Sequence, residues 1–377
     1  MNGSLKIGSL FRIPILIHWT FLLVIPLFAW IIGVQIGLTT ELIASLYKVT
    51  IDTSVIASGY MPYILGTVVA IGLFIGVLIH EIAHSLVALK NGIRINSITL
   101  LFFGGISSME EGTPDPKVEL PLALVGPLAS LAIGLVCIPL VYGAGFLITD
   151  PGMEGVFVFT IGYLGLLNIL LFAFNLIPAF PMDGGRVLRA FLAQRMPLPR
   201  ATQIAANVGK IFAVIFGIIG LVFLNFILII IALFIYLGAS QESTAVKYSF
   251  LLKDVTVGDI MSRDLMSVLP TMPVRDMISH MYSSKHLGFP VIENGVLIGM
   301  VTLNDVHRVP PLDRDAMQVR DIMTRNVISL PPGAPVIDAL RIMSGQDIGR
   351  IPVVDEGRVA GIVTRNDILK VIELREA

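Results

Sequence analysis

The stretch His80-Glu81-Ile82-Ala83-His84 sits inside an apolar run, residues 64–90, that is long enough to cross a bilayer. Ionisable side chains in such a run are costly in lipid and are functional candidates by default. On a helix, positions four apart share a face, so His80 and His84 can hold one metal ion between them. Glu81, beside them, is placed to act as general base on a metal-bound water. This pentapeptide predicts a helical membrane protein built around hydrolytic metal chemistry.

Composition agrees. Of 377 residues, 55% are hydrophobic, too many for an ordinary soluble protein. Charge is uneven: residues 1–253 carry 24 Asp, Glu, Lys or Arg, and residues 254–377 carry 29. The second segment is about 23% charged, near the roughly 25% of soluble domains. We therefore expect a transmembrane domain over 1–247, followed by soluble domains over 248–314 and 315–377. A net charge of −1 gives no sign of nucleic-acid binding. The single cysteine, Cys137, excludes an intrachain disulfide and a cysteine metal cluster. The apolar run from Ile15 to about Gly33 lacks a small-residue cleavage site and reads as a retained span.

About six transmembrane helices are expected, near 15–35, 64–90, 118–148, 156–177, 202–220 and 223–239, where a span needs roughly 20 residues; the third is long enough to tilt or emerge. Leu224-Asn225 is the expected turn between the last two; one long span from Ile211 to Leu237 is the alternative. With six spans and an internal N-terminus, the inner side holds Lys6, Arg12, Lys90, Arg94, Lys117, Arg186, Arg189, Arg195 and Arg200, and the outer loops hold Lys48. That is a positive-inside pattern. It places the N-terminus and the soluble domains in the cytoplasm, at the cell membrane. Arg186 and Arg189 read as topology charges, and Trp19 and Trp30 as interfacial anchors.

A catalytic zinc ion usually has three protein ligands. The best third candidate is Asp183, in Asn175-Leu-Ile-Pro-Ala-Phe-Pro-Met-Asp-Gly-Gly185. Pro178 and Pro181 cannot continue a helix interior, so the fourth span should break there. Irregular backbone at membrane depth needs protein or water around it, as expected of a carboxylate delivered into a protein-lined cavity.

The pentapeptide, followed about 100 residues later by Asn175, Pro178 and Asp183-Gly184, resembles the site-2 protease family of intramembrane zinc metalloproteases. The resemblance implies a six-helix core and one Zn2+, with His80, His84 and Asp183 as ligands and Glu81 as catalytic base. The substrates it implies are single-span membrane proteins, cut within or near their transmembrane segments. It also implies a catalytic role for Asn175 toward the substrate backbone or the developing oxyanion. Leu101-Phe-Phe-Gly-Gly-Ile-Ser-Ser108 follows the second span, where the family has a Gly-containing membrane-embedded strand. Gly104 and Gly105 are thus expected to bind substrate, an extended edge pairing with an unwound substrate segment. On turn chemistry alone the two glycines read equally well as a plain turn.

The C-terminal part repeats at an offset of 62 residues. Val257-Gly-Asp-Ile-Met261 matches Val319-Arg-Asp-Ile-Met323, and Gly299-Met-Val-Thr-Leu-Asn-Asp305 matches Gly361-Ile-Val-Thr-Arg-Asn-Asp367. Each copy reads as a short helix (274–282, 336–343), then two strands around a turn at Glu293-Asn-Gly295 or Glu356-Gly357, then a second helix. This resembles a tandem pair of cystathionine-β-synthase (CBS) domains with an α/β fold. The resemblance implies an adenine nucleotide such as ATP or AMP, contacted by Thr302, Asp305, Thr364 and Asp367, and a homodimer formed through these domains. Thr and Asp at helix starts also read as plain caps.

The sequence therefore points to an intramembrane zinc endopeptidase regulated by a cytoplasmic CBS pair, nucleotide biasing how that pair covers the active-site cleft. The alternatives are a CBS-regulated ion transporter using the intramembrane His, Glu and Asp as its pathway, and a nucleotide sensor without chemistry of its own.

Overall fold

The computed structural model describes residues 3–101, 104–109 and 115–376. The chain divides into two compact units, Met1–Ser243 and Thr244–Ala377.

The first unit opens with strands β1 (Ser4–Leu10) and β2 (Ile13–His18), then helices α1 (Phe21–Val34), α2 (Ile36–Tyr47) and α3 (Met61–Lys90). Strands β3 (Ile95–Leu101) and β4 (Gly104–Met109) precede α4 (Pro116–Leu147), α5 (Pro151–Asn175), α6 (Asp183–Ala193), α7 (Leu198–Val222) and α8 (Phe226–Leu251). Five helices, α3, α4, α5, α7 and α8, are long and apolar enough to span a membrane. The pair α1 and α2 makes a sixth candidate, bent by 76°. The first span therefore differs from expectation. Its opening residues, from Ile15, belong to strand β2, and the helix bends at Gln35 and continues to Tyr47. Ile-Pro-Ile-Leu-Ile is apolar and largely β-branched, so it suits a pleated surface as well as lipid. The last two spans do separate, with Leu224 at φ 51° and the Asn225 side chain accepting from the Leu228 N–H at the start of α8.

α4 and α5 begin where the sequence supplies a cap and a proline. Asp115 and Asp150 each accept a backbone N–H of the first turn, from Lys117 and Met153, and Pro116 and Pro151 follow them directly. Proline is suited to this position because its missing N–H would have no helical partner there. α4 then packs against α3, α5 and α6 and runs through the middle of the unit.

The four strands form one sheet in the order β1-β2-β3-β4. Two antiparallel hairpins are joined by a parallel pairing of β2 with β3, Ile15 opposite Ile98 and Ile17 opposite Leu100. Among the described residues β4 is therefore an edge, and its Gly104 and Gly105 face Leu101 and Leu100 of β3. Phe102 and Phe103 of the stretch singled out above lie outside the described residues.

The second unit is a repeat. Its first copy contains α9 (Val257–Ile260), α10 (Val274–Ser284), β5 (Gly288–Glu293), β6 (Val296–Thr302) and α11 (Leu303–His307). The second contains α12 (Val319–Ile322), α13 (Val336–Gly345), β7 (Arg350–Asp355), β8 (Arg358–Thr364) and α14 (Arg365–Glu376). Corresponding elements start 62 residues apart, as the sequence offset requires. Each copy has its own apolar core, Val274, Met277, Phe289, Val291 and Val301 in one and Val336, Ala339, Ile351, Val353 and Val363 in the other.

Candidate active site

α3 presents His80 and His84 one turn apart on its buried face, at 4% and 6% exposure. α4 runs alongside and offers three positions at four-residue spacing. The Ser130 hydroxyl is 2.9 Å from His80 Nδ1, and the Leu122 carbonyl is 2.6 Å from His84 Nδ1. Gly126 lies between them. A carbonyl oxygen only accepts, so His84 Nδ1 carries the proton and Nε2 keeps its lone pair for a cation.

The third group arrives on a broken helix. α5 stops at Asn175, and residues 176–182 are irregular, with Ala179, Phe180 and Met182 buried. α6 then begins at Asp183 itself. The turn is tight enough to demand glycine. A Cβ at Gly184 would lie 2.2 Å from the Ile177 carbonyl oxygen, and one at Gly185 would lie 2.6 Å from the Phe180 nitrogen. This folding-back puts Asp183 Oδ2 at 3.1 Å from His80 Nε2 and 3.2 Å from His84 Nε2, which are 3.1 Å from each other.

Among the described residues, His80, His84 and Asp183 form the group of His, Cys, Asp and Glu that could hold a metal. A tetrahedral ion with bonds of about 2.0–2.1 Å would hold its ligand atoms about 3.3 Å apart. Two imidazole nitrogens and one carboxylate oxygen suit zinc. At Gly126 a Cβ would come within 2.2 Å of His84 Nε2 and 2.7 Å of His80 Nε2, so the absent side chain leaves room where the ligand atoms converge.

The remaining sequence candidates fall at different distances from this centre. Glu81 is half-buried on α3, and Gly105 of the edge strand lies against it; a Cβ there would be 2.3 Å from Glu81 Cγ and 3.1 Å from its Oε1. Asn175 is half-buried at the end of α5, with its amide Nδ2 donating to the Leu171 carbonyl at 3.0 Å. Thr302 and Asp305 close a capping box at the start of α11, Asp305 Oδ2 accepting from the Thr302 N–H and hydroxyl at 2.8 and 2.7 Å. Thr364 and Asp367 repeat it at α14, at 2.9 and 2.6 Å. Thr302 and Asp305 line one hollow of the repeat and Thr364 and Asp367 another, of 610 and 620 Å³.

Ser130, the Leu122 carbonyl and Gly126 were not visible in the sequence, although their spacing on α4 was the available signal. Arg189 corrects a sequence reading. Expected as a topology charge facing the cytoplasm, it is 3% exposed and ion-paired with Glu119 of α4 and Glu242 of α8.

The model of peptidase family M50 matches residues 68–153 and 152–216, and that of the CBS domain matches 257–311 and 319–374. A zinc metalloprotease of Methanocaldococcus jannaschii is 35% identical over 380 residues, covering 100% of this chain and 99% of its own. The solved site-2 protease of the same organism is 37% identical, covering 64% of this chain and 95% of its own, with a TM-score of 0.43. A CBS domain pair solved with 5′-methylthioadenosine and S-adenosyl-L-methionine is 28% identical, covering 32% of this chain and 98% of its own, with a TM-score of 0.30.

Proposed function

Because the chain belongs to peptidase family M50, the site-2 protease family of zinc metalloproteases, we propose that it cleaves single-span membrane proteins within or near their transmembrane segments. It is a membrane-embedded zinc metalloprotease with a tandem CBS pair; the substrate class, the residue roles and the regulation are our reading. The observation that carries it is the convergence of His80 Nε2, His84 Nε2 and Asp183 Oδ2, with His84 Nδ1 committed to a carbonyl.

These three atoms would hold the zinc, which when bound supplies a Lewis acid for the scissile carbonyl and for water. Ser130 and the Leu122 carbonyl fix both imidazole rings so that no reorientation is needed on binding. Glu81 takes the proton of the attacking water and returns it to the leaving amine. A helical peptide bond is already hydrogen-bonded and screened by side chains, so the substrate must be extended before attack. The edge strand β4 offers the backbone for that, and contact of Gly105 with Glu81 sets the pairing beside the base. The Asn175 amide, now on its own helix, would turn toward the substrate backbone.

The positive-inside pattern supports a cytoplasmic N-terminus and CBS pair. We assign to the CBS pair regulation by an adenine nucleotide, its ribose hydroxyls meeting the second oxygens of Asp305 and Asp367. Nucleotide that leaves both cleavage rate and substrate affinity unchanged would defeat this part, because regulation requires differential affinity between two states. The family matches do not favour the ion-transporter alternative.

The test is cleavage of a single-span model substrate in detergent, with products mapped by mass spectrometry. Glu81→Gln keeps the shape of the side chain but removes its basicity. Cleavage should fall by about 10²–10⁴-fold while bound zinc is unchanged, and a chelator should stop the wild type. Equal products from the Gln variant would end the assignment of Glu81.

A further inference from the structure

We propose that Arg189 is a positioning residue for the metal centre: its guanidinium, clamped between Glu119 and Glu242, fixes the helix that presents Asp183. The inference rests on the metal-site reading above and extends it to residues six to 64 positions away in sequence.

Asp183 is the first residue of an eleven-residue helix that follows an irregular segment. Met182, at the N-cap position, makes no side-chain capping bond, and the Gly185 N–H donating to the Met182 carbonyl at 3.1 Å ties the helix start to the preceding turn. A further anchor lies on the buried face of α6. Arg189 Nε donates to Glu119 Oε1 at 2.9 Å, Nη2 donates to the same oxygen, and Nη1 donates to Glu242. The guanidinium carbon also lies 5.0 Å from the centre of the Phe180 ring, in the segment that delivers Asp183. One side chain thus joins α6 to α4, to α8 and to the 176–182 turn.

The partner on α4 matters most. Glu119 is 2% exposed and one turn before Leu122, whose carbonyl receives His84 Nδ1. The Arg189–Glu119 pair therefore sets the spacing between the helix that fixes His84 and the helix that carries Asp183. The second oxygen of Glu119 is buried with no hydrogen-bond partner, so the pair is not an optimised charge network. A buried ion pair is weak evidence for stability and better evidence for a fixed geometry. Arginine suits the role because its planar fork reaches two carboxylates at once.

Substitution at Arg189 tests this. Arg189→Lys keeps the charge but cannot reproduce the fork. We expect it to fold with an apo-protein Tm near that of the wild type. Its zinc affinity, measured by competition with a chromophoric chelator, should drop about 10–100-fold, the range for groups that orient metal ligands. At saturating zinc, kcat should remain lowered while KM is unchanged. Loss of Tm with zinc affinity and kcat intact would make the triad merely structural and overturn the proposal. If Arg189→Lys fails to fold, Glu242→Ala decides, since it removes one acceptor of the clamp at a half-buried position. Weaker zinc binding supports the clamp, and unchanged binding overturns it. Wild-type protein that binds no zinc, or binds it equally after His80→Ala, would instead sink the metal-site reading, and the clamp with it.

Discussion

The metal centre and the CBS clefts both rest on polar residues found by motif, but they stand in opposite electrostatic states. At the metal centre, two imidazole nitrogens and a carboxylate oxygen point at one another from within 3.2 Å in a buried setting. The outer nitrogen of each imidazole already has a partner on α4. One divalent cation would satisfy all three inner atoms together. In the CBS repeat, Thr302 with Asp305 and Thr364 with Asp367 satisfy each other as helix caps. A ligand there would have to compete with these bonds, whereas at the His80–His84–Asp183 site three potential ligand atoms already converge. Geometry thus points to the metal more firmly than to the nucleotide, although the sequence motifs are equally clear.

The largest break in this comparison should come from a residue with no polar atoms in its side chain. Gly126→Ala adds one methyl group where the ligand atoms converge, 2.2 Å from His84 Nε2 before any movement. Alanine in a helix interior is otherwise favoured over glycine by roughly 0.5–1 kcal/mol, so a general loss of helix is not expected. Zinc affinity should fall by more than about 100-fold, beyond the effect of an ordinary outer-shell change, with the helical circular dichroism retained. Zinc bound at full stoichiometry and wild-type affinity would show that the cation sits elsewhere. Ser130→Ala comes next. It frees His80 Nδ1 without touching a ligand, and about a 10–100-fold weaker zinc affinity is expected by the same competition assay. An unchanged value would mean that helix packing alone orients the ring.

The two regions also differ in how they could be read from the chain. His80, Glu81, His84 and Asp183 stood out because charge in an apolar run has few innocent explanations, and the structure brings His80, His84 and Asp183 together. The repeat was legible because an unbroken offset carries turns, strands and caps together. Ser130, Leu122 and Gly126 were not, since small and apolar residues are what any span contains and their meaning lies in which helix they face. Arg189 was misread for a related reason. Near a span end, a cation facing water and a cation facing Glu119 look alike until tertiary structure brings residues 70 positions apart together. The strand at Ile13–His18 was hidden although its hairpin partner β1 precedes it directly, because Ile-Pro-Ile-Leu-Ile is apolar at every position. An unalternating apolar run leaves no local periodicity to distinguish strand from the start of a span.

The smallest effect should come from within the repeat, where two hollows related by the 62-residue offset differ in charge. The one lined by Thr364 and Asp367 also holds Lys285, Arg365 and Lys370; the corresponding positions around Thr302 and Asp305 are Asp347, Leu303 and Arg308. Arg350 lines both. Burial pushes the Arg350 guanidinium down from its usual range, so an anion beside it would offset lost hydration. A phosphate-bearing ligand should therefore favour the Thr364 hollow. Converting that hollow to the charge of its counterpart, with Lys285→Asp and Arg365→Leu, should weaken AMP and ATP by about tenfold or more. That corresponds to roughly 1.4 kcal/mol, a scale two partly solvated charges can supply. The loss should shrink as salt is raised, because both side chains are exposed. Arg308→Leu in the other hollow should change affinity less than about twofold, since lone exposed charges contribute little. Calorimetry with both nucleotides at two salt concentrations separates the hollows. Equal losses from the two sets of substitutions would mean that charge does not choose between them, and the two copies would then bind as the near-identical repeats their motifs suggest.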